Sequence, residues 1–515
     1  MAQTVVSIVP VEISPGVKVS VNLMLPGKKT NLKKKIETLR HYIERYPSGW
    51  KKRLELADLL CYSGCWENAI AEYKNILERK PDLIEIWLKL GKIFYLSGAI
   101  DRAAKAYERA LSLSANQPIS EQINALIDLC YGRYIHAIDS MQSAIASDPT
   151  IAAHWLSLGC TYLLIDSPYA ALEAFRQALD CNPDDVMALR YCHDTLLVLG
   201  DIQQASRILE QLFGIAPDRV SVLERVSIHN LRKRLVRGKA GQETVKLIRK
   251  AMKVAPDIPS VHALFAYYSI YTGDWCAGVE RMKAFVEAHP NNPSSWYVYA
   301  RILLCTGNFL MAEESLHKAY QLYPNDFEIY RAFFEILPLV GGHDRLQLLA
   351  GEILDRFPER WSSWAIVGNY SVEHLGLSER GVELSARCIQ LQPNLADAWF
   401  QYGRALLLSG CYADAIAALK QGWEKLPASE GTPQSIPAAM WLGKSYHILE
   451  DEPNSQHWWN TADYHAQKLA EFHPSLGNYW RGKALQALGE EKRATELFQK
   501  ALEQQLPYPA RQTIH

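Results

Sequence analysis

Residues 152–183 read AAHWLSLGCTYLLIDSPYAALEAFRQALDCNP, and this stretch decides the fold. Its first half carries Trp155, Leu158, Gly159 and Tyr162 in the spacing W-x2-L-G-x2-Y. Its second half carries Ala171, Phe175, Ala178 and the closing Pro183. Such spacing predicts two successive helices, each with one apolar face. Gly159 and Ala171 are small where the two helices should cross, because a larger side chain would force them apart. Trp155, Tyr162 and Phe175 supply bulk beside that contact. Pro183 cannot continue a helix and ends the unit.

The closing proline recurs along the chain. Pro81, Pro149, Pro183, Pro217, Pro256, Pro290, Pro324, Pro358, Pro393, Pro427 and Pro474 are mostly 34 residues apart, with one interval of 68 that holds two units. The ruler predicts thirteen helix pairs between Trp50 and Leu506. Clear units begin near Ile84 (Trp87, Gly91, Ala103, Tyr107), Pro293 (Trp296, Ala300, Ala312), Ala396 (Trp399, Gly403, Ala415) and Ser475 (Trp480, Ala494, Phe498). Units of this kind cannot bury their apolar faces alone and must stack into one continuous core.

On these motifs the chain resembles tetratricopeptide repeat (TPR) proteins over roughly nine-tenths of its 515 residues. The resemblance implies an all-α, right-handed solenoid superhelix whose concave groove binds other proteins. In such repeats the groove is lined mainly by positions 2, 5, 9, 12 and 13 of the first helix. Carried onto this sequence, those positions give Leu88, Lys92 and Tyr95, then Leu156, Cys160 and Leu163. Further along they give Tyr267 and Tyr271, Tyr297 and Arg301, and Phe400 and Arg404. Aromatic and arginine side chains suit a peptide surface, since they dominate interface hot spots.

Two specialisations of the family do not fit. The chaperone-binding clamp needs Lys at position 5 and Asn at position 9, where this chain has Leu88, Leu156, Tyr297 and Phe400, then Lys92, Cys160, Arg301 and Arg404. The asparagine ladder of the sugar transferase needs Asn at position 6, where this chain has Lys89, Ser157, Val298 and Gln401. The stretch after Leu506 is too short for a transferase or protease domain, so any such activity is expected to belong to another chain.

Composition supports a folded chain, with 48% apolar and 22% charged residues, and a net charge of −1 gives no global attraction to nucleic acid or anionic lipid. No run is long and apolar enough to suggest membrane insertion. The start, MAQTVVSIVPVEISPG, lacks the pattern of a secretory signal, and the ten scattered cysteines read as reduced thiols. A cytoplasmic location is therefore expected. Cys61-x3-Cys65 has no second pair or histidine at zinc spacing, and no Walker, GxGxxG, GxSxG or HExxH motif is present. The expected protein is non-catalytic, with no cofactor and no metal.

Three segments depart from the repeat. From Val5 to Leu25 the sequence alternates with period two about Ser14-Pro15-Gly16, predicting a β-hairpin, Val5–Ile13 and Val17–Leu25. It would cap the first repeat or pair with a strand of another chain. Residues 218–256 lack the Trp/Gly/Tyr signature, and Arg219–Lys253 holds eleven Lys/Arg against two Glu. Arg225, Arg232, Lys233, Arg234, Arg237 and Lys239 form the candidate basic patch, for an acidic partner segment or a nucleic-acid backbone. This patch has no Phe, Tyr or Trp for base stacking. Residues 428–474 carry a polar Pro/Ser/Gly segment and the sequence HILEDEPNSQHWWN, in which Trp458 and Trp459 are candidate partner contacts. Adjacent helical residues point about 100° apart, so one apolar stripe cannot hold both.

The expected organisation is thus a hairpin segment (1–28), a leading helix (29–49) with Leu32, Ile36, Leu39 and Ile43 in one stripe, and repeats 1–5 (50–217). The divergent basic repeat (218–256), repeats 7–11 (257–427), a repeat with insertions (428–474) and a last repeat with its tail (475–515) follow. The expected function is a scaffold or adaptor holding a protein or peptide in the groove, within a multi-subunit complex. The alternatives are a regulatory or substrate-recruiting subunit of a separately encoded enzyme, and a nucleic-acid-associated protein acting through residues 219–253.

Overall fold

A computed structural model describes residues 32–62, 66–96, 99–114, 119–217, 219–254, 256, 258–426, 434–508 and 510. The expected hairpin lies outside these residues, and no strand occurs among them. Helix α1 (Leu32–Arg45) leads into pairs α2 (Trp50–Tyr62) with α3 (Trp66–Arg79), α4 (Ile84–Leu96) with α5 (Ile100–Leu113), α6 (Ile119–Cys130) with α7 (Tyr134–Ser147), and α8 (Ala152–Leu164) with α9 (Pro168–Cys181). Next come α10 (Val186–Val198) with α11 (Ile202–Ile215), α12 (Val220–Arg232) with α13 (Gly238–Val254), α14 (Pro259–Thr272) with α15 (Trp275–Ala288), and α16 (Pro293–Cys305) with α17 (Phe309–Leu322). The array closes with α18 (Phe327–Val340) and α19 (His343–Arg356), α20 (Trp361–Leu375) and α21 (Ser378–Leu391), α22 (Ala396–Leu408) and α23 (Tyr412–Glu424), α24 (Ser435–Ile448) and α25 (Glu452–Phe472), and α26 (Pro474–Ala487) and α27 (Glu491–Glu503). Among the described residues this makes thirteen helix pairs after one leading helix.

Four of the pairs close on a glycine of the first helix facing a ring of the second. A Cβ at Gly91 would lie 2.5 Å from the Tyr107 ring, and one at Gly159 would overlap Phe175. Gly443 stands in the same way against Trp459, and Gly482 against Phe498. Any side chain there would separate the two helices of the repeat or displace the ring, at a cost of about 1–3 kcal/mol.

The recurring tryptophan does more than fill space. The indole N–H of Trp155 donates to the Pro149 carbonyl at 2.8 Å. Trp87 bonds Pro81 at 2.8 Å, Trp296 bonds Pro290 at 2.7 Å, Trp364 bonds Pro358 at 2.9 Å and Trp399 bonds Pro393 at 2.8 Å. In α14 the imidazole of His262 takes this place, with Nε2 2.6 Å from the Pro256 carbonyl. Each bond ties the first turn of a helix pair to the proline that ends the previous pair, satisfying a carbonyl that no helix uses.

The chain divides into two compact units. One is built on Ile13–Leu164 and Glu173–Ala188. Its core runs from Leu39 and Ile43 of α1 through Leu56, Tyr73, Leu90 and Tyr107 to Ile123 and Ile127. The other is built on Ile165–Leu172 and Leu189–His515, with the largest apolar core around Tyr267, Tyr299, Tyr330, Phe333 and Ile336. Within this second unit, segments far apart in sequence meet. The Arg360 guanidinium is paired with Asp166, its Nε 3.0 Å from Oδ2, and Asp166 is held at φ 52°. Trp275 Nε1 donates to Gln505 Oε1 at 2.8 Å, and the Tyr508 amide donates to the Cys305 carbonyl at 3.2 Å.

Two irregular stretches resolve into repeats with long second helices. Residues 238–254 form the 17-residue α13 after a five-residue turn at 233–237. The sequence HILEDEPNSQHWWN is the end of α24, a turn and the first half of the 21-residue α25, whose N-cap Asp451 accepts from the Asn454 amide. Pro453 sits in the first turn, where its missing N–H costs nothing.

Candidate functional site

In the larger unit the structure turns most of the expected groove residues inward. Tyr267 is 1% exposed and Tyr271 4%, with their rings stacked 6.2 Å apart. The Arg234 guanidinium lies over the Tyr271 ring, 3.6 Å from its centroid. Arg301 is buried and donates to the Glu335 carboxylate of the next repeat. Burial works against the Arg301 charge, but Glu335 outweighs it and holds the guanidinium above its ordinary range. Arg404 is buried, with Nη2 2.7 Å from Glu373 Oε2. Burial pushes the Arg404 pKa down, against the pull of Glu373. Phe400 is 2% exposed and lies against Gly422. Tyr297 is half-buried against the same core, and burial raises its phenol well above the usual range.

Five of the expected groove residues are thus buried within the array. Arg301 and Arg404 pair with a neighbouring first helix, Tyr271 lies under Arg234 with Tyr267 stacked beside it, and Phe400 packs on Gly422 of its own second helix. The physical reason is that oppositely charged side chains recur one repeat apart on the first helices. Glu373 meets Arg404 and Asp194 meets Arg225, each 31 residues apart, and Arg301 meets Glu335 at 34. In the smaller unit Lys89 meets Asp58 across the same 31 residues, at 2.8 Å. That spacing of opposite charge is present in the sequence and marks Arg301 and Arg404 as paired within the chain.

The basic patch divides in the same way. Arg225 is 2% exposed and is paired with Asp194, its Nε 2.9 Å from Oδ1. Although burial opposes the charge, Arg225 and the hydrogen bond from His193 hold the Asp194 carboxyl well below the usual carboxylate range. Burial pushes Arg232 down to about 10. Lys233 lies over the Phe472 ring at 5.5 Å. Arg234 donates to the Gln504 carbonyl at 3.0 Å and to Ser475 Oγ at 2.7 Å. Only Arg237 and Lys239 of the six candidates are exposed.

Trp458 and Trp459 are also buried, at 9% and 6% exposure. Trp458 meets Trp423 edge-on at 4.9 Å, on the side of the preceding repeat. Trp459 packs on Gly443 and lies 5.4 Å from the His447 ring, on the side of its own first helix. The divergence of adjacent helical residues is satisfied inside the chain.

In the smaller unit, Leu88, Lys92 and Tyr95 of α4 are half-buried. The equivalent positions of the neighbouring first helices are half-buried too: Leu54 and Asp58 of α2, Gln122, Leu126 and Leu129 of α6, and Leu156, Cys160 and Leu163 of α8. Among the described residues no group of three or more His, Cys, Asp or Glu is placed to hold a metal ion. No described helix is long and apolar enough to cross a membrane.

Residues 54–118 match the family model of the tetratricopeptide repeat. The chain is 25% identical over 159 residues to the human protein named tetratricopeptide repeat protein 13, a match covering 30% of this chain and 18% of that one. It therefore spans less than a fifth of that relative's length. Among solved structures it is similar to the crystal structure of the APC/C hetero-tetramer Cut9-Hcn1, at 13% identity over 92% of this chain and 99% of that one, with a TM-score of 0.35. It is also similar to yeast Tom70, at 15% identity over 81% of this chain and 96% of that one, with a TM-score of 0.38. Thirteen helix pairs stand among the described residues, several of them closed by a glycine on a ring, and residues 54–118 of that run are a tetratricopeptide repeat region.

Proposed function

We propose that this chain is a protein-interaction scaffold and that its ligand, a peptide or helix of another protein, docks on the first-helix face of the smaller unit. The observation that carries this reading is the recurrence of half-buried apolar side chains at the same repeat positions. Leu54, Leu88, Leu126, Leu129, Leu156 and Leu163 leave surface exposed on four successive first helices. A row of leucines that is half-covered in the free chain gains the rest of its burial from a ligand, at about 25 cal/mol per Å² of apolar surface. Lys92, Tyr95 and Gln122 are interspersed among them and supply polar groups that set the orientation of a bound segment. The corresponding face of the larger unit is closed by its own ion pairs and tyrosines, so it offers little such surface.

The test is affinity capture from the native host with the full chain and with Leu88→Gln/Leu126→Gln/Leu156→Gln. The expected result is a protein retained by the wild-type chain and lost by a variant with unchanged helicity. Equal retention by both would remove this face from the proposal.

A further inference from the structure

Helix α13 is set apart from every other second helix by its charge. It carries Lys239, Lys246, Arg249, Lys250 and Lys253 against Glu243 alone, a net +4. The other twelve second helices lie between −2, for α25, and +1, for α5. At about 100° per residue the five cations of α13 fall within an arc of about 100°. The opposite side, Gly241, Thr244, Ile248 and Ala251, is buried. All five cations are exposed, and the stripe runs about 21 Å along the helix at 1.5 Å per residue.

Among the described residues, three of the five cations of this stripe form no ion pair. Lys246 pairs with Glu243 at 2.8 Å, with both side chains more than half exposed, and such a pair is weak. Lys239, Arg249 and Lys253, with Arg237 just before the helix, form no ion pair among the described residues. The neighbouring second helices do not compensate, since α11 and α15 each carry as many acids as bases.

We propose that α13 is a docking surface for an acidic segment of a partner protein, one carrying about four carboxylates along a helix or strand. Charge complementarity sets the partner's sign, and the straight single-helix stripe sets its shape. A nucleic-acid backbone fits less well, because the exposed side of α13 has no aromatic residue on which bases could stack. An anionic membrane also fits less well, because Ala240, Gln242 and Glu243 on that side offer nothing to insert between lipids. This surface is on a second helix and is independent of the first-helix face proposed above.

The test uses the full chain and a fluorescent peptide of ten residues with four alternating glutamates, followed by anisotropy at 50 mM and 300 mM NaCl. Controls are a scrambled-charge peptide with four lysines, a single-stranded RNA of ten nucleotides, and vesicles containing phosphatidylserine. The variant is Lys239→Glu/Lys246→Glu/Arg249→Glu/Lys253→Glu, with Lys239→Ala/Lys246→Ala/Arg249→Ala/Lys253→Ala beside it in case the reversal disturbs folding. The expected result is binding of the glutamate peptide alone, weakened about tenfold by salt and at least tenfold by either variant at unchanged helicity. Absence of binding at 50 mM NaCl would overturn the proposal. Tighter binding of the RNA or the vesicles than of the peptide, or binding unaffected by both variants, would overturn it as well.

Discussion

Arg404 of α22 and Glu373 of α20 form a buried ion pair at 2.7 Å that joins two successive first helices of the larger unit. The pair fixes the spacing of those helices, because neither group can leave its partner without carrying a charge through an apolar interior. Truncating one partner is therefore costly, whereas replacing both with apolar residues is not. Arg404→Ala is expected to lower stability by about 3–5 kcal/mol. Arg404→Leu/Glu373→Leu is expected to recover most of that loss. Urea unfolding of the two variants beside the wild type checks this, and equal losses would show that leucines cannot replace the pair.

The Trp155–Pro149 bond makes a smaller claim of the same kind. Trp155→Phe keeps an aromatic ring and removes the donor, so about 1 kcal/mol of stability should go with it. The loss should be local. Hydrogen exchange is expected to speed up at the start of α8 and the end of α7, with α26 and α27 unchanged.

Asp397 gives a pH signature. Burial alone pushes its carboxyl up to about 7, far above the value of about 3.9 expected for an unfolded chain. The folded state thus holds the proton more tightly. The stability this contributes is fully present below pH ~4 and is lost as pH rises through about 7. Asp397→Asn removes the titration and keeps the shape. The melting temperature of the variant relative to the wild type is expected to rise between pH 5 and pH 8. A constant difference across that range would mean that Asp397 does not titrate there.

Gly443 must remain glycine if Trp459 is a core residue. A Cβ at 443 would overlap the indole, so Gly443→Ala should cost about 1–3 kcal/mol by overpacking. Gly351, on an exposed side of α19, has nothing within 4 Å of its Cβ position, and Gly351→Ala should be neutral or mildly stabilising. Thermal melts of the pair of variants separate the two cases.

How much of this was legible in the sequence follows from what each signal encodes. The helix pairs were readable because Gly91, Gly159 and their ring partners sit at fixed offsets within a unit, so local spacing carries the contact. The Trp–Pro bond was also present as a six-residue spacing, but its direction, donor to carbonyl, depends on backbone geometry. The burial of the groove residues was not legible where the decisive partner lies a repeat away. Position 9 predicts which side of the helix Arg301 is on, and only Glu335, 34 residues later, determines that it is occupied. Arg234 is further still from legibility, since its partners, Ser475 and Gln504, are 241 and 270 residues away. The hydrophobic period cannot see such contacts, because it reports the side a residue faces and not what meets it there.

The most direct test of the central claim, that a ligand docks on the first-helix face of the smaller unit, is photo-crosslinking from single positions. Benzoylphenylalanine would replace Leu126 or Leu156 on that face, and Phe400 in the closed face of the larger unit, in chains expressed in the native host. The account predicts crosslinks to the same partner protein from positions 126 and 156 and none from position 400. Crosslinks from position 400 alone, or the same weak background from all three, would contradict it.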